Sequence, residues 1–329
     1  MLSRVADSLY WMSRYIERAE NVGRFVDVNL NLMLDSPIGL MEQWEPLIQI
    51  TASGEPFRER YGEPTQENVI QYLTFDSDNP DSIRSCLLKA RENARSIREV
   101  IPFDLWTEIN DFYLKVNAEV AVKQAATAPQ DFFSYVRRSA HLIEGVTSAT
   151  LSRGEAWHFS RMGRLLERAD KTTRLLDTKY FLLLPSVTDV GTPVDDLHWS
   201  AVLKSASAFT MYRQRHGRLS PDRVSDFLIL DAQFPRSVQF CVTNAEESAR
   251  AISGTPPGNY QNEAERRLGQ LASELTYTDV SEVLRQGLHE FLDGLQIRLN
   301  GIGDGIYSTF IEVRPVAQDL SQNQRGISL

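Results

Sequence analysis

Apolar residues recur at three- and four-residue spacing through most of this chain, the period of a helix with one buried face. In the first such segment Leu9, Met12, Ile16, Ala19, Val26 and Leu30 fall on one side. Further on, Ile83, Leu87, Ala90, Ala94 and Ile97 form a second stripe with Cys86 beside it. Pro80 suits the first turn of that helix and Asn79 its cap. No run alternates as a strand would, so the pattern predicts an all-α chain. Turn signals at Ser36–Gly39, Ser53–Pro64, Ala128–Pro129, Pro185–Val194 and Ser253–Asn262 divide it. The stretch from Pro185 is the longest internal linker. Residues 314–329 lack periodicity and are expected to fray.

The pattern also repeats. Leu9–Asp27 (LYWMSRYIERAENVGRFVD) aligns with Phe159–Asp177 (FSRMGRLLERADKTTRLLD) at an offset of 150, with seven identities in nineteen positions. Asn68–Ile97 aligns with Arg223–Ile252 at an offset of 155, with eleven identities in thirty, among them Cys86 with Cys241. Random composition would give about two. The expectation is a helical bundle built by internal duplication, with halves at 1–150 and 151–313 in one compact unit and a flexible tail at 314–329.

Composition narrows the function. The 329 residues are 42% hydrophobic and 24% charged, an ordinary globular balance. A formal net charge of −9 argues against a nucleic-acid partner. The cations are 29 Arg and 6 Lys; Arg makes planar, bidentate contacts with carboxylates, which suits ion-pair networks or an anion-reading surface. The first residues are charged from Arg4 onward, without the apolar core of a signal peptide, and no apolar run is long enough to span a bilayer. A reducing, cytoplasmic setting is expected. Cys86 and Cys241, one per half, read as small buried hydrophobes.

The candidate chemistry lies in the repeated segments. Arg14, Glu17, Asn21 and Arg24 share one helical face, and Arg164, Glu167, Lys171 and Arg174 repeat it. Glu20/Arg24 and Asp170/Arg174 sit at i,i+4 in the favourable acid-first order. Two readings stand: a charged network that holds helices in register, or a pair of Arg/Glu sites for an anionic ligand or an acidic partner. Arg84, Arg91, Arg95 and Arg98 line a further face, in which only Arg95 has an Arg counterpart, Arg250. Arg91, Asn93 and Arg98 are the candidates found in one half alone. Glu155 and His158 form a single Glu-x-x-His, answered in the other half by Asp304 and Tyr307, so no metal is called for. No phosphate loop, dinucleotide fingerprint, nucleophile elbow or zinc-protease motif is present, and no cofactor is expected. The glycine cluster at Gly301–Gly305 reads as a loop or a break near the last helix.

Four segments in order carry a resemblance: LSRVADSLYWMSRYIERAENVGR at the start, ARENARSIRE, GEAWHFSRMGRLLERAD, and FPRSVQFC at Phe234–Cys241. Together they resemble the alpha-E family of all-helical bacterial domains, whose named Glu-Arg motif falls here on Glu17/Arg18 and Glu167/Arg168. The family's usual Met-Trp-Glu-like continuation is varied in PFDLWTEIN, which keeps Trp106. The resemblance implies association with circularly permuted ATP-grasp proteins, and with transglutaminase-like proteases, in systems that make and trim amide bonds. It assigns no activity to the helical domain. The leading expectation is therefore an accessory subunit that docks on an ATP-grasp amide or peptide ligase. In it Arg14, Arg18, Arg164 and Arg168 hold helices or meet a partner's carboxylates, and Arg91 and Arg98 line the asymmetric side. The alternative is an enzyme in which Glu17 and Glu167 converge as an acid/base pair of raised pKa, flanked by anion-binding Arg.

Overall fold

The computed structural model describes residues 1–35, 44–51, 54–182 and 193–312. Among them all regular structure is helical. The first eight helices are α1 (Ser3–Asp35), α2 (Glu45–Ile50), α3 (Gly54–Tyr61), α4 (Gln66–Thr74), α5 (Ile83–Ser96), α6 (Phe103–Asn117), α7 (Glu119–Thr127) and α8 (Pro129–Thr150). The next eight are α9 (Glu155–Leu182), α10 (Pro193–Ser205), α11 (Phe209–His216), α12 (Pro221–Leu230), α13 (Val238–Ser253), α14 (Glu263–Tyr277), α15 (Val280–Gln286) and α16 (Leu288–Ile306). A π-helical turn, Tyr307–Ile311, closes the described chain.

The two longest helices, α1 and α9, lie side by side at the centre. They run in the same direction, since Tyr10 meets Gly163 and Glu17 meets Arg168. Around α1 pack α5 and α8, with α6 bridging them; around α9 pack α13 and α16, with α14 bridging those. The predicted apolar face of α1 is buried in full, as is the α5 stripe from Ile83 to Ile97. One continuous core joins these faces. Ser82 and Ser237 cap α5 and α13 in the same way, each hydroxyl accepting from the backbone N–H three residues on.

Several expectations need correction. The α5 helix starts at Ile83 under Ser82, not under Asn79; the Asn79 carboxamide oxygen instead accepts from the Asp81 N–H. The Ser53–Pro64 stretch holds α3, because Phe57 and Tyr61 stack on each other and edge against Tyr72, and that aromatic burial outweighs the turn-forming composition. The Gly301–Gly305 cluster lies inside α16. There the missing side chains let α16 approach α14, with the Gly305 Cβ position only 3.4 Å from the Ala264 Cα. Both cysteines are buried, and burial pushes their thiols up to about 12. The turn at Ser36–Gly39, nearly all of the Pro185–Val194 linker and the 314–329 tail lie outside the described residues.

Candidate functional site

The Glu-Arg segments face each other across the α1–α9 seam, and they pair by exchange. Arg168 grips Glu17 with two parallel bonds, Nε to Oε1 and Nη2 to Oε2, both 2.9 Å. Arg18 grips Glu167 with Nε to Oε1 at 2.6 Å and Nη2 to Oε2 at 2.9 Å. Each motif's acid thus meets the other motif's arginine in the planar bidentate geometry that guanidinium and carboxylate share.

Each carboxylate gathers further cations. Arg236, from the turn before α13, donates to Glu17 Oε1 at 2.8 Å and to Glu20 Oε2 at 3.1 Å. Arg14 Nε donates to Glu167 Oε2 at 2.9 Å, and Lys171 Nζ stands 3.7 Å from Oε1. The arginines are anchored in turn. Arg18 also bonds Asp81, Arg168 reaches Glu144, Arg24 bonds Glu20 and donates to the Ser207 hydroxyl, and Arg174 holds Asp170 at 3.0 Å. Ser207 adopts a left-handed backbone (φ 52°) that presents its hydroxyl there.

This geometry decides the protonation states. Burial alone would raise the pKa of Glu17, but Arg168 and Arg236 outweigh it and hold the carboxyl well below its usual range. Glu167 is likewise held low against burial, by Arg18, Arg14 and Lys171. Glu17 is 5% exposed and Glu167 is fully buried. Acid/base carboxylates need a raised pKa and a path to substrate. Glu17 and Glu167 have the opposite shift and sit in separate cation clusters; Glu17 borders only a slot of about 30 Å³. Their expected convergence as a reactive pair is therefore corrected: proximity to arginine stabilises the charged form more strongly than burial opposes it.

A narrow slot of about 30 Å³ runs beside the seam between α1, α8 and α9, past Ser13, Glu20, His141, Glu144, Ser160 and Arg164. It has room for about one water molecule, not for a substrate. Glu20 Oε1 makes no hydrogen bond there, with His141 Nε2 3.4 Å away, and the buried Nε of Arg164 is also unpaired while its Nη1 reaches Glu144 at 3.3 Å. Burial, and then Arg24 and Arg236, push His141 down from its ordinary value, so it is neutral at pH 7. His158 packs edge-on against Trp157. Among the described residues no group of three or more His, Cys, Asp or Glu is placed to hold a metal ion.

The other candidates lie elsewhere. Arg91, Asn93, Arg95 and Arg98 are on α5 and the turn after it, on the side away from the seam. Arg91 donates to the Asn110 carboxamide oxygen at 2.8 Å and lies over the rings of Trp106 and Tyr113. Asn93 bonds back to the Lys89 carbonyl, and Arg95 pairs with Glu92. Arg98 stacks on Trp106, 4.8 Å from the ring centroid. Sequence reasoning passed over Arg236, Asp81 and Glu144. The first two occupy matching places at the offset of 155 with opposite charge, and that reversal was the available signal.

The described residues thus form an all-helical domain whose central seam is closed by exchanged Glu-Arg pairs. The chain belongs to the Alpha-E family, described as a predicted alpha-helical domain with a conserved ER motif; the match covers residues 1–311. It is similar to uncharacterized proteins of Mycobacterium bovis (Mb2597) and Mycobacterium tuberculosis (Rv2567), each 23% identical over 339 residues. Those alignments cover 93% of this chain and 36% of each relative, so the chain spans about a third of the length of the curated relatives it matches. No solved structure matches. Among the described residues no helix is long and apolar enough to cross a membrane.

Proposed function

We propose that this chain is a helical accessory or binding subunit that works in the cytoplasm with an ATP-grasp-type amide or peptide ligase. The carrying observation is that both motif carboxylates are consumed by the fold. Glu17 and Glu167 are buried, charged and saturated by arginine, so the motif builds a rigid scaffold and leaves no reactive centre at the seam. The longer chains of the mycobacterial relatives fit this reading, since in them a matching segment is joined to further protein. The ligase as partner comes from the sequence resemblance, as does a transglutaminase-like protease as a second partner; neither nucleic acid nor membrane is called for.

The internal duplication expected from the sequence belongs to the same reading. Each half opens and closes on its longest helices, 33 and 22 residues for α1 and α8 and 28 and 19 for α9 and α16, and the reciprocal pairs Glu17–Arg168 and Arg18–Glu167 are what two copies related by a twofold axis would make. In this reading the halves 1–150 and 151–313 are one unit, because the central ion pairs cross between them.

A pull-down of the full chain from native lysate, with ATP and magnesium, read by mass spectrometry, tests the proposal. Recovery of an ATP-grasp protein is expected. Recovery of none, from a folded and monodisperse bait, overturns it.

A further inference from the structure

Residues 83–99 carry five basic side chains (Arg84, Lys89, Arg91, Arg95, Arg98) and two acidic ones (Glu92, Glu99), a formal +3 within a chain of −9. The corresponding stretch of α13, residues 238–254, has Arg250 against Glu246 and Glu247, a formal −1. The basic surplus thus belongs to one face of one half. Leu88, Arg91, Arg95 and Arg98 follow 3-4-3 spacing along that face, and Phe103, Trp106, Asn110 and Tyr113 follow it along α6. The two rows meet, since Arg91 bonds Asn110 and both Arg91 and Arg98 lie over Trp106.

What sets this surface apart is the state of its end. Arg91 and Arg95 are tied to Glu92. Arg98 is exposed, and its guanidinium carbon lies 4.8 Å from the centroid of the Trp106 ring, with neither an ion pair nor a hydrogen bond. An exposed guanidinium over a ring keeps its N–H groups available to a planar anion. Phe103, five residues on, is 73% exposed. Next to it Pro102 lines an open hollow of about 950 Å³ at the end of the bundle, shared with Leu2, Val5, Val100, Ile101 and Leu151. An exposed aromatic, an unpaired cation and a mostly apolar hollow, polar at Thr150, Ser152 and the Met1–Glu155 pair, together form a mixed surface of the kind that marks contact sites.

We infer that this α5–α6 face is the docking surface for a protein segment in which a carboxylate side chain is flanked by an apolar one. The carboxylate meets the Arg98 edge over Trp106, and the apolar side chain fills the hollow beside Phe103 and Pro102. Charge complementarity selects the occupant: residues 83–99 carry a formal +3 within a chain of −9, so the patch suits a segment that brings a carboxylate. The inference rests on the accessory-subunit reading and names the face that reading uses.

Binding of the purified full chain to the purified ATP-grasp ligase, followed by calorimetry at two salt concentrations, tests it. Arg98→Glu is expected to weaken binding about tenfold or more, as loss of a charge-assisted hydrogen bond predicts. Arg98→Lys, which keeps the charge but loses the planar fork, should fall between. Phe103→Ala should weaken binding with no change in salt dependence. These side chains are on the surface, and an unchanged thermal midpoint for each variant shows that the fold is intact. Wild-type binding that is indifferent to Arg98→Glu and Phe103→Ala overturns this face and leaves the accessory role standing. No binding by wild type overturns both. A wild-type self-dimer in sedimentation that both substitutions abolish makes the occupant a second copy and overturns the inference.

Discussion

Gly163 sits against the backbone carbonyl of Tyr10: a Cβ at position 163 would stand 2.2 Å from the Tyr10 oxygen and 3.0 Å from its carbon. The obstacle is main chain and cannot swing aside. The α1 and α9 helices therefore meet at a separation that a methyl group would not allow, and this brings the motif side chains within reach of one another. In an open helix Gly→Ala is favourable by about 1 kcal/mol. Here overpacking costs about 1–3 kcal/mol or more, so Gly163→Ala should be net destabilising. A urea midpoint that stays put or rises would show that the two helices can part at no cost.

Removing one motif acid should cost more than removing an ordinary surface pair. Glu167→Ala leaves Arg14, Arg18 and Lys171 around an empty place. Stranding buried charge in this way costs about 3–5 kcal/mol, whereas exposed pairs contribute under about 1 kcal/mol. The exposed pair Lys115–Asp111 is the internal control, and Asp111→Ala should barely move the unfolding curve. Equal effects of the two substitutions would mean that the seam is softer than its geometry implies.

The same residues set a dependence on acid. Glu17 and Glu167 have folded pKa values below those of the unfolded chain, because their arginine partners outweigh burial. A carboxylate in an unfolded chain titrates near about 4.3. Below that pH the unfolded state takes up protons that the native seam refuses, so stability present at neutral pH is lost as pH falls. Each such group adds a slope of up to about 1.4 kcal/mol per pH unit. Urea titrations between pH 7 and pH 3 should show the decline, and Glu167→Gln should flatten it by about one proton. A variant slope equal to that of wild type would show that Glu167 does not take part.

The thiols provide a probe of global opening. Cys86 and Cys241 are fully buried, with burial pushing both up to about 12. At pH 8 neither should react with an aromatic disulfide reagent except through unfolding, and both should react together once urea is added. Rapid labelling of one cysteine in the native protein would locate a part of the bundle that opens alone.

Much of the bundle was legible in the sequence. The helical period placed the buried faces of α1 and α5 correctly, because a single apolar stripe has one place to go. What periodicity cannot say is which helix a face meets. Arg14, Glu17 and Arg24 were correctly put on one side of α1, yet Glu17 takes its arginines from positions 168 and 236, more than 150 residues away. Arg236 was missed for that reason: it lies in a turn, outside any helical stripe, marked in the sequence only by its charge reversal against Asp81. The Gly301–Gly305 cluster misled because glycine lowers helix propensity locally, while the close approach of α14 rewards its lack of a side chain. The alternation of Arg with aromatics on α5 and α6 could be read from spacing alone, but the unpaired state of Arg98 could not.

The exchange of acids and arginines across the seam also sets an order of events during synthesis. The α1 helix, carrying Glu17 and Arg18, leaves the ribosome about 150 residues ahead of its partners Glu167 and Arg168 and about 220 residues ahead of Arg236. Until then burying α1 would strand its charges in an apolar core, so an early collapse of the leading half is penalised. The earlier of the two central helices is thus completed only with the later one, and a chain broken between them holds a central helix that it has no means to bury.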